Sequence, residues 1–226
     1  LDAVAATPVT HRVVAMTGDL DKACRADQLR TRLRDFTVFE QRGDGFAERL
    51  INAHADAAAV RQPVLQIGMD TPPGEPGSSR GVCARRLLTA PAVLGMARDG
   101  GWWVLGGVAD GGMAECLRDV PMSQADTGGA VTLAALEDTG ISVTLVEELD
   151  DVDTIDDIPA VRAACQSSSR FAEVTRGGLK CWDSSTTKHS TAKVVGSGTT
   201  TDSCDIFRCA VGSAADMPIH SSTRQW

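Results

Sequence analysis

The stretch Val64-Leu65-Gln66-Ile67-Gly68-Met69-Asp70-Thr71-Pro72 is a short apolar run that ends in a glycine, then an acid, then a proline. Residues 64–67 read as a buried strand, and Pro72 marks where the strand must stop. Gly68 permits close approach of the backbone to a ligand. Asp70 falls at the carboxyl end of the strand, which in open α/β sheets is the edge where ligands bind. Taken alone, the same stretch also reads as a strand-terminating turn with the aspartate as its cap.

Working outward, apolar runs alternate with amphipathic segments from about residue 9 to 165. Strands are expected at 11–16, 36–39, 64–67, 93–96, 102–105 and 143–146. Helices are expected at 21–33, 46–60, 82–88, 127–138 and 155–165, with Asp126 as the N-cap of the fourth and Thr154 as that of the last. This alternation predicts a three-layer α/β domain on a mainly parallel sheet. From about Gln166 the chain is rich in Ser, Thr and Gly and shows no sustained periodicity, so 166–226 is expected to be an irregular, disordered tail. A shifted reading frame or an overlap with a neighbouring gene is one origin for such a tail.

The 226 residues suffice for one substantial core, and 42% are hydrophobic, as in ordinary soluble proteins. A net charge of −8 argues against nonspecific nucleic-acid binding, because no basic field is present to hold phosphates. No run of about 18 apolar residues suggests a membrane span, and no secretory signal is visible. Seven cysteines without a CxxC pair fit reduced thiols in a cytoplasmic protein better than a zinc site.

Further segments could carry chemistry. Asp150-Asp151-Val152-Asp153-Thr154, followed by Asp156 and Asp157, again succeeds an apolar strand. Such crowded carboxylates suit a hard cation such as Mg²⁺ or Mn²⁺, with Asp153 and Asp70 holding the ion between two strand ends. They equally suit a solvated helix N-terminus. Arg98-Asp99-Gly100-Gly101-Trp102-Trp103 pairs a glycine turn with two tryptophans. Alternation along a strand sends these to opposite faces, so at most one faces a ligand. Gln41-Arg42-Gly43-Asp44-Gly45-Phe46 is a glycine-rich loop able to touch a nucleotide or simply to turn the chain. The loop at 121–128 leads into a helix N-terminus that Asp126 either caps or leaves open to an anion. His54 carries no motif and reads as a core or surface histidine.

In this order, Gln41-Arg42-Gly43-Asp44-Gly45 with Glu48-Arg49-Leu50, Ile67 to Pro72, Asp99 to Trp103, Asp126-Thr127-Gly128 and Asp151-Val152-Asp153-Thr154 resemble the bacterial DUF2064 family. That family is similar to nucleotide-diphospho-sugar transferases of the glycosyltransferase-A type. The resemblance covers about residues 1–165 and implies a metal-dependent transferase using a nucleotide-sugar donor and a small-molecule acceptor. The fold equally hosts nucleotidyl transfer from a nucleoside triphosphate.

Carried over by position, the resemblance implies Asp70 and Asp153 as ligands of Mg²⁺ or Mn²⁺, and Asp70 with Asp99 as catalytic acids. Gln41, Gly43, Gly45, Gly100, Gly101, Trp102 and Asp126 are the implied substrate contacts. It also implies one more central strand and a phosphate-binding loop ahead of Leu1. Without that strand the sheet is expected to show unpaired edges, and the chain reads alternatively as an inactive fragment or aberrant product. Two positions depart from the family pattern. Residues 73–80 are rich in Pro, Gly and Ser where a helix is expected to start. Arg98 replaces an acid, where it would either pair with Asp99 or oppose a metal.

Overall fold

A computed structural model describes residues 1–23, 25–71, 79–108, 112–118, 120–122, 128–152 and 154–176, and the backbone of 207–213. The strands are β1 (His11–Met16), β2 (Thr37–Glu40), β3 (Val64–Ile67), β4 (Ala92–Ala97), β5 (Trp102–Gly107), β6 (Val143–Leu149) and β7 (Phe207–Ser213). The helices are α1 (Asp2–Ala6), α2 (Ala26–Leu33), α3 (Phe46–Ala58), α4 (Ser79–Arg86), α5 (Gly112–Cys116), α6 (Gly128–Asp138), α7 (Ile158–Ala164) and α8 (Arg170–Thr175). Short 3-10 turns at Leu20–Lys22 and Ile155–Asp157 lead towards α2 and α7.

One sheet runs in the order β2-β1-β7-β3-β5-β4-β6. The pairings β1–β2 and β4–β6 are parallel, whereas β5 is antiparallel to β3 and β4. Strands β1, β2, β3, β4 and β6 therefore point the same way. β7 is antiparallel to both of its neighbours, pairing Val14 with Ala210 and Ile67 with Ala210 across its two edges. The mainly parallel α/β layering expected from the sequence is what the chain forms.

The edges of β1 and β3 that were expected to be unpaired are instead both paired with β7. This strand lies within the stretch expected to be irregular, as does α8. Its capture follows from the number of backbone donors and acceptors that two facing parallel edges would otherwise leave unsatisfied.

The sheet separates two cores. On one face Leu50, Ile51 and Ala53 of α3 pack with Leu94, Leu105 and Met113. On the other, Val4 of α1, Cys83 and Ala84 of α4, and Leu87 just after it pack with Leu65 and Trp103. The alternation of β5 divides its tryptophans: Trp102 joins the first core half-buried, and Trp103 is 1% exposed in the second. Gly95 of β4 makes room for Trp103, since a Cβ there would lie 2.5 Å from its Nε1. The indole crosses β4 in this space and donates to the Glu147 carbonyl on β6 at 2.9 Å.

Candidate functional site

The carboxyl ends of β1, β2, β3, β4 and β6 lie along one sheet edge, and the loops that leave them carry the acids. After β3, Gly68 N–H donates to the Trp103 carbonyl at 3.0 Å, and the chain then turns through Met69 and Asp70. The Asp70 carbonyl accepts from Val152 N–H at 3.1 Å, tying this turn to the loop that follows β6. The Asp70 side chain folds back over Gly68: a Cβ on Gly68 would sit 2.9 Å from Asp70 Oδ1.

Asp70 keeps exposed surface. Protein packed against its carboxyl group nonetheless raises its pKa above the ordinary carboxylate value. Its own backbone N–H offsets part of this, and the negative charge of Asp99 raises it further. A carboxylate that feels a second carboxylate at this edge is an arrangement that a cation would relieve.

Asp99 occupies the turn between β4 and β5. Its Oδ1 accepts from Gly101 N–H at 2.8 Å, which shapes the turn while leaving the carboxylate exposed. Gly100 has φ +93°, a conformation that favours glycine. The start of α6 presses on this turn: Gly129 N–H donates to the Gly100 carbonyl at 2.8 Å. Asp126, two residues before α6, lies outside the described residues.

Arg98 pairs with Asp150 at 3.3 Å, and its backbone N–H donates to the Leu149 carbonyl. The expected pairing of Arg98 with Asp99 is therefore replaced by a pairing with Asp150. The charge of Asp150 is engaged by this arginine, and Asp70 and Asp99 are the described acids on the two neighbouring turns. Asp153 lies outside the described residues, one position beyond Val152. Among the described residues no three His, Cys, Asp or Glu side chains converge in a metal-binding group. At the next turn, Thr154 and Asp157 form a capping box: Asp157 Oδ2 accepts from Thr154 N–H at 2.7 Å.

The Gln41–Gly45 loop leaves β2 on the same edge. Gln41 N–H donates to the Met16 carbonyl at 2.7 Å, and neither end of its enclosed side-chain amide has a protein partner. Gly43 has φ +126°, and its carbonyl accepts from Arg49 Nε at 2.9 Å. Glu48 accepts from Asp44 N–H at 2.8 Å and Asn52 donates to the Arg42 carbonyl at 3.0 Å, so α3 holds the loop in shape. Gly45 is the N-cap residue of α3. In the sheet order three strand intervals separate this loop from Asp70. That is roughly 14 Å at the usual strand spacing.

Trp102 lines a cavity of about 10 Å³ in the first core with Leu50, Ile51, His54, Gln66 and Met122, room for about one water. His54 is a core histidine. Gln66 Nε2 donates to the Leu50 carbonyl at 3.2 Å, which presents Gln66 Oε1 to His54. His54 Nδ1–H then donates to that oxygen at 3.1 Å. Burial pushes the histidine pKa down to about 4, with Gln66 opposing in part. The described cysteines Cys83, Cys116 and Cys165 are free thiols, and burial raises all three pKa values, Cys83 to about 11.

The model of the family described as an uncharacterized protein conserved in bacteria, DUF2064, matches residues 1–124, more than half of the chain. The chain belongs to the DUF2064 family. Its fold is also that of a solved structure from Desulfovibrio desulfuricans G20, a proposed nucleotide-diphospho-sugar transferase. The two chains are 23% identical with a TM-score of 0.60, over 71% of this chain and 70% of the other. No curated protein matches. No described helix is long and apolar enough to cross a membrane.

The sequence motifs of the family single out Asp70, Asp99 and the glycine turns, and the structure puts the Asp70 and Asp99 turns on one sheet edge. They missed Arg80, whose guanidinium is buried beneath the Asp70 turn. No periodicity in its Pro-, Gly- and Ser-rich surroundings signals that role.

Proposed function

We propose that this DUF2064 protein is a transferase acting on a nucleotide-diphospho-sugar, with a divalent cation held at Asp70 and Asp99. The observation that carries the reading is the convergence of the Asp70 turn, the Asp99 turn and the loop after β6 on the carboxyl edge of the sheet. The Asp70 carboxyl feels the charge of Asp99, and Val152 N–H fixes the Asp70 backbone beside the segment that leads to Asp153. The donor set is hard oxygen, which fits Mg²⁺ or Mn²⁺. Asp153 is the proposed further ligand. When bound, the ion supplies charge neutralisation at the diphosphate leaving group.

The chain's own residues provide binding and orientation. The Gln41–Gly45 loop and the Asp70 turn lie on one edge but well apart, so a ligand that meets both must be elongated, as a nucleotide-diphospho-sugar is. The enclosed amide of Gln41, which lacks a partner among the described residues, would give its donors and acceptor to the nucleotide end on turning outwards. Gly100 and Gly101 let the acceptor or sugar approach the backbone beside Asp99. Trp102 and Asp126 complete the proposed contacts, although Trp102 meets them only from the half-buried flank of the first core.

Equilibrium titration with a sugar nucleotide and, separately, with a nucleoside triphosphate tests the donor class. Preferential binding of the sugar nucleotide in the presence of Mn²⁺ supports the proposal. Preference for the triphosphate replaces it with nucleotidyl transfer, and indifference to both removes it.

A further inference from the structure

Arg80, the second residue of α4, is 7% exposed, and no described carboxylate forms a salt bridge with it. Burying a guanidinium is costly unless its charge is balanced by hydrogen bonds or other favourable contacts. Its Nη2 donates to the Thr71 carbonyl at 2.9 Å, and its Cζ lies over the Trp103 ring, 5.8 Å from the centroid. Trp103 is immobilised at its far end by Glu147, and its own carbonyl accepts from Gly68 N–H. The four residues from Gly68 to Thr71 are thus clasped at both ends by one cation–π pair, Trp103 at the start and Arg80 at the finish. Asp70 projects from between the two clasps.

We infer that Arg80 is a positioning residue for Asp70: placed over the Trp103 ring and bonded to Thr71, it fixes the turn that carries the Asp70 carboxylate. Arginine suits the task because one planar group stacks on an indole and donates in its own plane at the same time. Neither methionine nor lysine does both. The guanidinium stays charged despite the downward pull of burial on its pKa. The part of this inference that concerns metal rests on the proposed function; the part that concerns the turn does not.

Two measurements on the full chain test it, with Arg80→Met and Arg80→Lys compared to the parent. The first is amide hydrogen exchange at Gly68 and Val152, whose N–H groups bond to Trp103 and Asp70, with Gln41 as a remote control bonded to Met16. Arg80→Met is expected to speed exchange at Gly68 and Val152 roughly fivefold or more while Gln41 keeps its rate. Arg80→Lys is expected to recover part of the difference. Equal acceleration at all three amides, or none at Gly68 and Val152, overturns the inference.

The second measurement is Mn²⁺ affinity, expected to fall about tenfold or more in Arg80→Met, as for loss of a group that orients a ligand. Unchanged affinity overturns the inference as well. If the parent itself binds no Mn²⁺, the proposed function fails, and the exchange rates still decide the role of Arg80. If Arg80→Met does not fold, Arg80→Lys is judged by the same two outcomes.

Discussion

Replacing Gly129 by alanine sets two opposed effects against each other. Alanine in a helix is ordinarily favoured over glycine by about 0.5–1 kcal/mol. At Gly129, however, the added Cβ falls on the Gly101 carbonyl oxygen, 2.6 Å from Met96 Sδ and 3.2 Å from the Gly100 carbonyl oxygen. Met96 can swing aside, but the two carbonyls belong to the backbone of the β4–β5 turn. Either α6 or that turn must move. Overpacking of this kind costs about 1–3 kcal/mol. Loss of the 2.8 Å bond from Gly129 N–H to Gly100 adds about 0.5–1.5 kcal/mol. The net expectation is about 2 kcal/mol of destabilisation, or a fall in Tm of about 4–8 °C for a chain of this size. Gly81→Ala is the matched control: it also lies in a helix, but its nearest neighbour is Arg85 Nη1 at 3.7 Å. Urea unfolding of both variants should show Gly81→Ala at or above parent stability and Gly129→Ala clearly below it. Gly129→Ala as stable as the parent would refute the packing of α6 against the Asp99 turn.

Three further outcomes are expected. Asp70 has a raised pKa, so between the ordinary carboxylate value and its own the folded state binds more protons than the unfolded state, and stability falls as pH rises through that window. Asp70→Asn should therefore unfold at higher urea than the parent at pH 7, with the gap closing in acid. Gly68→Ala should push the Asp70 carboxylate out of place, because its Cβ would lie 2.9 Å from Oδ1. Mn²⁺ affinity should drop about tenfold, with stability within about 1 kcal/mol of the parent by chemical denaturation. His54 moves in the opposite sense to Asp70: held neutral down to about pH 4, it adds stability that is complete above pH 6.5 and lost as pH falls towards 4. At about 1.4 kcal/mol per pH unit this amounts to roughly 3 kcal/mol, and His54→Leu should flatten the stability profile between those pH values.

Most of the layered domain was legible because its strands are apolar runs closed by Gly or Pro and its longer helices are amphipathic. β3 falls where 64–67 was expected, and α3 where the Leu50, Ile51 and Ala57 pattern put it. β7 was not legible. A strand that fills a gap between β1 and β3 takes its order from two waiting edges rather than from its own composition. The short helices α1 and α5 carry too few turns to show a period.

At the site, the acids after β3 and β4 were found from their place in the chain. Their electrostatic coupling needed the turns to be seen in space. The pairing of Arg98 with Asp150 was invisible because it joins residues on the ends of adjacent parallel strands, far apart in sequence. Arg80 was hidden for a similar reason: its partners Thr71 and Trp103 are brought to it by the sheet.

The central claim, a divalent-cation site at Asp70 and Asp99, is tested most directly by paramagnetic broadening of backbone amide signals on titration with Mn²⁺. The account predicts that the amides of Asp70, Asp99, Gly101 and Val152 broaden first, at substoichiometric ion, and that Asp70→Asn abolishes the effect. Broadening centred instead on the exposed acids Asp19, Asp21 and Asp27, or none at the carboxyl edge of β3 and β4, would contradict it.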